Sequence, residues 1–99
     1  MKIEFLYGDS HKVLEAPAGV YFVGLTAIYN GYHVSALDAD AEDARFWRDE
    51  EIRLSEELTV ILHYYSAPTL AEVAEEFAGF AGMKMLEIKN EAFYLFVTV

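Results

Sequence analysis

The sequence contains no cysteine. This absence excludes a disulfide scaffold, a thiol nucleophile and any zinc or iron–sulfur site bound by cysteine. Basic residues are also scarce, with 7 lysines and arginines against 17 aspartates and glutamates and a formal net charge of −10. Nucleic acid and anionic lipid would be repelled by a chain of this charge. The composition therefore favours a basic protein as the partner.

Long apolar runs are missing as well, and none approaches the length of a transmembrane helix. The opening residues MKIEFLYGDS place Glu4 where a signal peptide needs an apolar core, so we expect a cytoplasmic protein. Hydrophobic residues nevertheless make up 55% of the 99 residues, which predicts one folded domain over 1–99. No phosphate-binding glycine motif and no nucleophile motif occurs, so no enzyme activity and no cofactor is predicted.

Alternating polar and apolar residues predict an antiparallel arrangement of hairpins. The clearest signal is Asn30-Gly31, which suits a type I′ turn between two apolar runs. Turns are also predicted at Gly8-Asp9-Ser10 and Lys89-Asn90-Glu91. The predicted strands are Lys2–Tyr7, His11–Ala16, Val20–Tyr29, Tyr32–Leu37, Leu58–Tyr65, Met83–Lys89 and Ala92–Val99.

Two segments have helical spacing. The first is Ala41–Glu50, in which Ala44 and Trp47 are expected to face the sheet and Phe46 to lie on the opposite, exposed side. The second begins at Thr69, which forms a T-x-x-E capping box with Glu72. Its expected apolar stripe consists of Leu70, Val73, Ala74, Phe77, Phe80 and Ala81. The predicted fold class is α+β, a largely antiparallel sheet of about five to seven strands with two helices packed on one face.

This arrangement leaves apolar strand faces uncovered. The runs Val20–Tyr29, Leu58–Tyr65 and Phe93–Val99 are apolar on both sides, whereas only two helices are predicted to cover a sheet. A second copy of the chain could bury the remaining face, so a homodimer is expected. The seven tyrosines suit such an interface because they combine a large contact area with a polar tip.

Metal and catalytic motifs are weak. The run Asp38-Ala39-Asp40-Ala41-Glu42 resembles the start of a calcium loop, but Asp43 stands where that loop needs glycine. The three histidines have no second ligand at helical or hairpin spacing, so no zinc site is predicted. His63 could act as a general base only if a pocket lay beside it.

The distribution of acidic residues is the feature that carries a functional hypothesis. Asp38 to Glu57 contains nine carboxylates and three arginines, a balance of −6, and the Thr69–Gly82 segment adds three glutamates without a base. Like charges three or four residues apart destabilise a helix, so a function other than stability is expected for them. The predicted partner-binding residues are Asp38, Asp40, Glu42, Asp43, Asp49, Glu50, Glu51, Glu56, Glu57, Glu72, Glu75 and Glu76.

In size, charge and layout, the chain resembles small acidic phage-encoded inhibitors of the anti-CRISPR and antirestriction type, which mimic DNA, and nuclease immunity proteins. The resemblance implies a non-enzymatic inhibitor that shields a basic, nucleic-acid-binding effector or nuclease. Two alternatives stay open. One is a structural or small-ligand-binding homodimer whose acidity is incidental, and the other is a small enzyme that uses His63 or a carboxylate.

Overall fold

The computed structural model describes residues 1–39 and 41–98, apart from the side chain of Glu72. Within these residues the chain forms eight strands and one helix. The strands are β1 (Lys2–Tyr7), β2 (Ser10–Glu15), β3 (Phe22–Tyr29), β4 (Tyr32–Leu37), β5 (Arg45–Arg53), β6 (Leu58–Ser66), β7 (Gly82–Ile88) and β8 (Glu91–Thr98), and the helix α1 (Leu70–Phe80) joins β6 to β7. Most of the fold is therefore β-structure.

The strands form two four-stranded antiparallel sheets. Sheet A has the order β2-β1-β8-β7 and sheet B the order β4-β3-β6-β5. Consecutive strands pair as four hairpins, of which the first and last build sheet A and the middle two build sheet B. Sheet A is closed at its centre by β1 and β8, the first and last strands of the chain. All four hairpin turns lie at one end of the molecule, since one cleft there is lined by residues in or beside each of the four turns.

The two sheets share one hydrophobic core. Alternate residues of the central strands point into it, as the two-residue period of a strand requires. The fully or almost fully buried side chains include Ile3 and Phe5 of β1, Phe93, Leu95 and Val97 of β8, Val23, Leu25 and Ala27 of β3, and Leu58, Val60, Leu62 and Tyr64 of β6. Burying each large apolar side chain stabilises the fold by about 1.5–3 kcal/mol.

The predicted hairpins are confirmed. Asn30 has φ 50° and Gly31 has φ 84°, the two positive values that a type I′ turn needs. Lys89 and Asn90 also have positive φ in the turn between β7 and β8. Strand boundaries differ from the predicted ones by a residue or two. Val99, the end of the last predicted strand, lies outside the described residues.

The predicted α+β fold is wrong. The apolar faces that were assigned to two helices and a second copy are in large part covered by the other sheet, because two sheets bury each other's inward side chains. A single sheet of five to seven strands is likewise replaced by eight described strands in two sheets.

The predicted helix over Ala41–Glu50 is also wrong. Residues from Arg45 onward form the edge strand β5, which pairs with β6 through a register shift between Phe46 and Arg48. An edge strand buries little of either face, so β5 lacks the polar and apolar alternation that identifies a strand. Trp47, predicted to be in the core, is 47% exposed, while the exposure predicted for Phe46 is confirmed.

The helix predicted at Thr69 is present as α1, but its buried stripe is narrower than expected. Val73, Phe77 and Phe80 are buried, whereas Ala74 and Leu70 are exposed. The helix packs through ring contacts on Tyr21 and Phe22 at the start of β3. The capping box needs the Glu72 side chain, which lies outside the described residues. At 11 residues, α1 is too short to span a bilayer, and the described residues contain no longer helix.

Candidate functional site

An open groove lies between the loop after β4, the last turns of α1 and the start of β7. Its volume is about 810 Å³, and it is lined by Leu37, Asp38, Ala39, Ala41, Glu42, Glu76, Gly79, Phe80 and Lys84. We call it the acidic groove. It unites residues from both acidic segments that the sequence singles out, since Asp38 and Glu42 come from the first and Glu76 from the second.

Packing on β3 fixes two walls of the acidic groove. On one side, the fully buried Phe22 ring lies 5.5 Å from the Phe80 ring and 6.2 Å from that of Phe77, both edge-on, and so holds α1. On the other side, Gly24 lets the chain after β4 pass close by, because a Cβ at this position would lie 2.9 Å from the carbonyl oxygen of Leu37. The carboxylates are therefore presented by backbone that is packed against sheet B.

The acidic groove has a surplus of negative charge. Asp38, Glu42 and Glu76 are exposed, and they are balanced only by Lys84 among the described lining residues. The Lys84 ammonium donates a hydrogen bond to the carbonyl oxygen of Phe80 at 2.9 Å and lies 4.5 Å from the Phe80 ring centre. The two contacts between a histidine and a carboxylate in the described part of the chain involve other carboxylates. Three carboxylates are thus available to an incoming cation.

The remaining predicted partner-binding residues do not form one surface with the acidic groove. Asp43 and Glu75 are exposed near it, on the same loop and helix. Asp49 and Glu51 face outward from β5, at the positions that pair with His63 and Ile61 of β6. Glu50 accepts a hydrogen bond from Tyr64. Glu56 and Glu57 are exposed in the turn after β5. Asp40 and the side chain of Glu72 lie outside the described residues.

A second acidic cleft was not predicted from the sequence. It has a volume of about 320 Å³, lies among the hairpin turns and is lined in part by Asp9, Glu57 and Glu91. Burial raises the pKa of the Tyr7 hydroxyl in this cleft, and the nearby Glu91, Tyr29 and Glu57 raise it further. Asp9 and Glu91 are far apart in the sequence, and only the pairing of β1 with β8 brings their turns together.

The described part of sheet B also carries a relay of three polar side chains on its outer face. The Nδ1 atom of His63 lies 2.5 Å from Oδ1 of Asp49, and its Nε2 atom lies 2.7 Å from Oγ1 of Thr26. With Nδ1–H donated to the carboxylate, the neutral ring accepts the threonine hydroxyl at Nε2. A catalytic triad has this order of groups but also needs N–H donors for an oxyanion and a substrate pocket. Neither the acidic groove nor the second acidic cleft is lined by these residues.

The geometry of the described residues does not support a metal site either. Across residues 1–39 and 41–98, no group of three or more histidine, aspartate or glutamate side chains is placed to hold a metal ion.

Comparison of the chain with known protein families, curated proteins and solved structures found no match. The interpretation of the acidic groove therefore rests on the residues of this chain.

Tyr64 and Glu50 provide a test of the packing beside these carboxylates. The fully buried Tyr64 donates a hydrogen bond of 2.6 Å to Oε2 of Glu50, and burial, followed by this bond, raises the tyrosine pKa above its usual value of 10. Because the folded state favours the neutral hydroxyl, this contribution to stability is complete below pH 10 and is lost as the pH rises further.

We expect Tyr64→Phe to cost about 1.5 kcal/mol at neutral pH, the low end for a hydrogen bond to a charged group, since Glu50 can regain water. The variant should also lose less stability than the wild type between pH 9 and pH 11, a range that brackets the ordinary tyrosine pKa of about 10. Urea unfolding at a series of pH values measures both effects. Equal alkaline losses in the two proteins would contradict the assignment to Tyr64.

Proposed function

We propose that this protein is a non-enzymatic, cytoplasmic binding protein whose acidic groove holds basic side chains of a protein partner. The observation that carries the proposal is the convergence of Asp38, Glu42 and Glu76 on one open groove whose described lining contains a single cation, Lys84. The formal net charge of −10 acts in the same direction, because it steers a basic partner towards the protein from a distance.

The partner that fits best is a nucleic-acid-binding effector or nuclease. Such proteins carry clustered lysines and arginines that neutralise phosphates, and the same side chains can instead bind carboxylates. Occupation of the basic surface by this protein would exclude nucleic acid and inhibit the partner. Inhibition of this kind is what the resemblance to small acidic inhibitors in size and charge implies.

Charge reversal in the acidic groove tests this function. We expect the triple variant Asp38→Lys, Glu42→Lys and Glu76→Lys to bind the partner more weakly by roughly 10- to 100-fold, because each exposed charge pair contributes about 0.2–1 kcal/mol and reversal turns attraction into repulsion. Partners are captured from a cell lysate on immobilised wild-type protein and identified by mass spectrometry. The affinity of the captured partner for each variant is then measured by calorimetry.

The matched control reverses three exposed carboxylates outside the groove, Glu51, Glu56 and Glu57, and so changes the net charge by the same amount. We expect this control to weaken binding by less than the groove variant, while both retain the wild-type melting temperature. The captured partner should bind nucleic acid and release it when the wild-type protein is added. Equal weakening by the two triple variants would overturn the groove as the binding site.

A further inference from the structure

The outward side of sheet A carries a continuous apolar surface. The strand registers place its side chains in two neighbouring rows across the sheet. One row is Val13, Glu4, Phe96 and Met83, and the other is His11, Leu6, Tyr94 and Met85. We call these eight residues the sheet A face. The rings of Tyr94 and Phe96 stack on it with their centres 6.4 Å apart.

No element of the described chain buries the sheet A face. Met83 is 60% exposed, Met85 58% and Val13 48%, and the remaining apolar members are half-buried by their neighbours within the sheet. The helix α1 packs elsewhere, at the start of β3. Scattered apolar residues are normal on a protein surface, but six in adjacent positions on one sheet are typical of an interaction surface.

We propose that the sheet A face binds the same face of a second copy and that the protein is a homodimer with two free acidic grooves. The order β2-β1-β8-β7 makes the face complementary to itself. Rotation by 180° about an axis along the strands places β7 of one copy over β2 of the other and β8 over β1. Met83 then packs on Val13 of the second copy and Tyr94 on its Leu6. Phe96 and Met85 cover its Glu4 and His11, which bond to each other.

The low charge of the sheet A face favours a second copy of the chain as its binding partner. The sheet A face contains one carboxylate, Glu4, which already pairs with His11 at 2.7 Å, whereas the acidic groove has three unpaired ones. A basic protein partner therefore gains little electrostatic attraction at this face. A surface that is apolar and almost neutral matches a second surface of the same kind.

The available area limits the strength of the dimer. Four strands spaced by about 4.8 Å, with two rows that span about four residues rising about 3.4 Å each, give a flat footprint of roughly 260 Å² for each copy. The accessible area of uneven side chains is larger than this footprint. The total lies below the size of standard specific interfaces and in the range of weak, transient ones, so we expect dissociation in the micromolar range.

The first test is the mass of the wild-type protein in solution. Sedimentation equilibrium at high micromolar concentration should give twice the mass of one chain. Raising the salt concentration from about 0.05 M to about 0.5 M should tighten the dimer, since it screens the repulsion between two acidic copies. The same change should weaken binding of a basic partner to the acidic groove. A single-chain mass at every concentration and salt level would overturn the dimer without affecting the proposed function.

Variants locate the interface. The double variant Met83→Glu and Met85→Glu should be monomeric, and because both side chains are exposed it should remain folded. The control Phe46→Glu and Leu70→Glu adds the same charge at two exposed apolar positions outside the sheet A face and should remain dimeric. If the first variant stayed dimeric, or if both became monomeric at the same concentration, the sheet A face would be excluded as the interface.

Cross-linking tests the orientation of the two copies. The chain has no cysteine of its own, so Val13→Cys and Met83→Cys each introduce a single reactive thiol. In an equal mixture of the two variants, a short bismaleimide should link a chain carrying the first substitution to one carrying the second. Cross-links confined to Met83→Cys chains would contradict the rotation axis along the strands.

Discussion

Replacing Phe22 with alanine is expected to lower the free energy of unfolding by about 3–5 kcal/mol, a large part of the total for a domain of this size. The ring is fully buried at the start of β3 and meets both Phe77 and Phe80 edge-on. Its removal leaves a cavity that α1 can fill only by moving. Chemical denaturation measures the loss.

The control for this prediction is Leu70→Ala, which removes a large apolar side chain from an exposed position at the start of the same helix. Surface substitutions of this kind change stability by about 0.5 kcal/mol or less. Because Phe22 also positions Phe80 in the wall of the acidic groove, Phe22→Ala should weaken partner binding even in conditions where it stays folded. Similar losses for Phe22→Ala and Leu70→Ala would show that α1 is not packed on β3 as described.

Replacing Gly24 with valine is expected to destabilise the protein by about 3 kcal/mol, the upper end of the usual range for overpacking. A Cβ would lie 2.9 Å from the carbonyl oxygen of Leu37 and 3.5 Å from the amide nitrogen of Ala39. Both atoms belong to the backbone and cannot rotate away as the end of a side chain can. The segment after β4 must therefore move outward, and it carries Asp38 into a new position. Thermal and chemical denaturation measure the stability change.

Gly79 provides a contrasting control within the same site. It lines the acidic groove from α1, and a Cβ there would meet no atom within 4 Å. Gly79→Ala should stabilise the protein by up to about 1 kcal/mol, since alanine favours a helix over glycine by that amount. Partner binding should fall more for Gly24→Val, which moves Asp38, than for Gly79→Ala, which adds one methyl group to the groove wall. A Gly24→Val protein as stable as the wild type would show that the chain after β4 does not pass against β3.

Three of the four hairpins were accessible from the sequence because each depends on neighbouring residues. Asn30-Gly31 fixes a turn through its own backbone preferences, and the flanking alternation fixes the strands. The strand β5 was not accessible for the opposite reason. Its residues have no buried face that would impose a period, and Glu50 and Arg48 favour a helix, so only pairing with β6 makes the segment a strand.

The candidate site was accessible only in part. Acidic residues could be selected by type, and Asp38, Glu42 and Glu76 were among those selected. Their convergence on one groove depends on how the loop after β4 meets α1, which no local pattern encodes. The relay of Asp49, His63 and Thr26 was missed in the same way. His63 was noticed alone, but Asp49 lies opposite it and Thr26 diagonal to it only through the registers of three strands.

The position of β1 and β8 at the centre of sheet A has a consequence for the order in which the chain folds. Residues 22–66 contain every strand of sheet B, so this sheet can pair as soon as that segment has been synthesised. Sheet A can be completed only after β8 has been synthesised, since β1 pairs with β8 from Lys2 opposite Thr98 onward. Until then the inward side of sheet B, including Val60 and Leu62, faces water, and such intermediates tend to aggregate. The nine carboxylates between Asp38 and Glu57 belong to this early part, and their mutual repulsion would keep incomplete chains apart during translation.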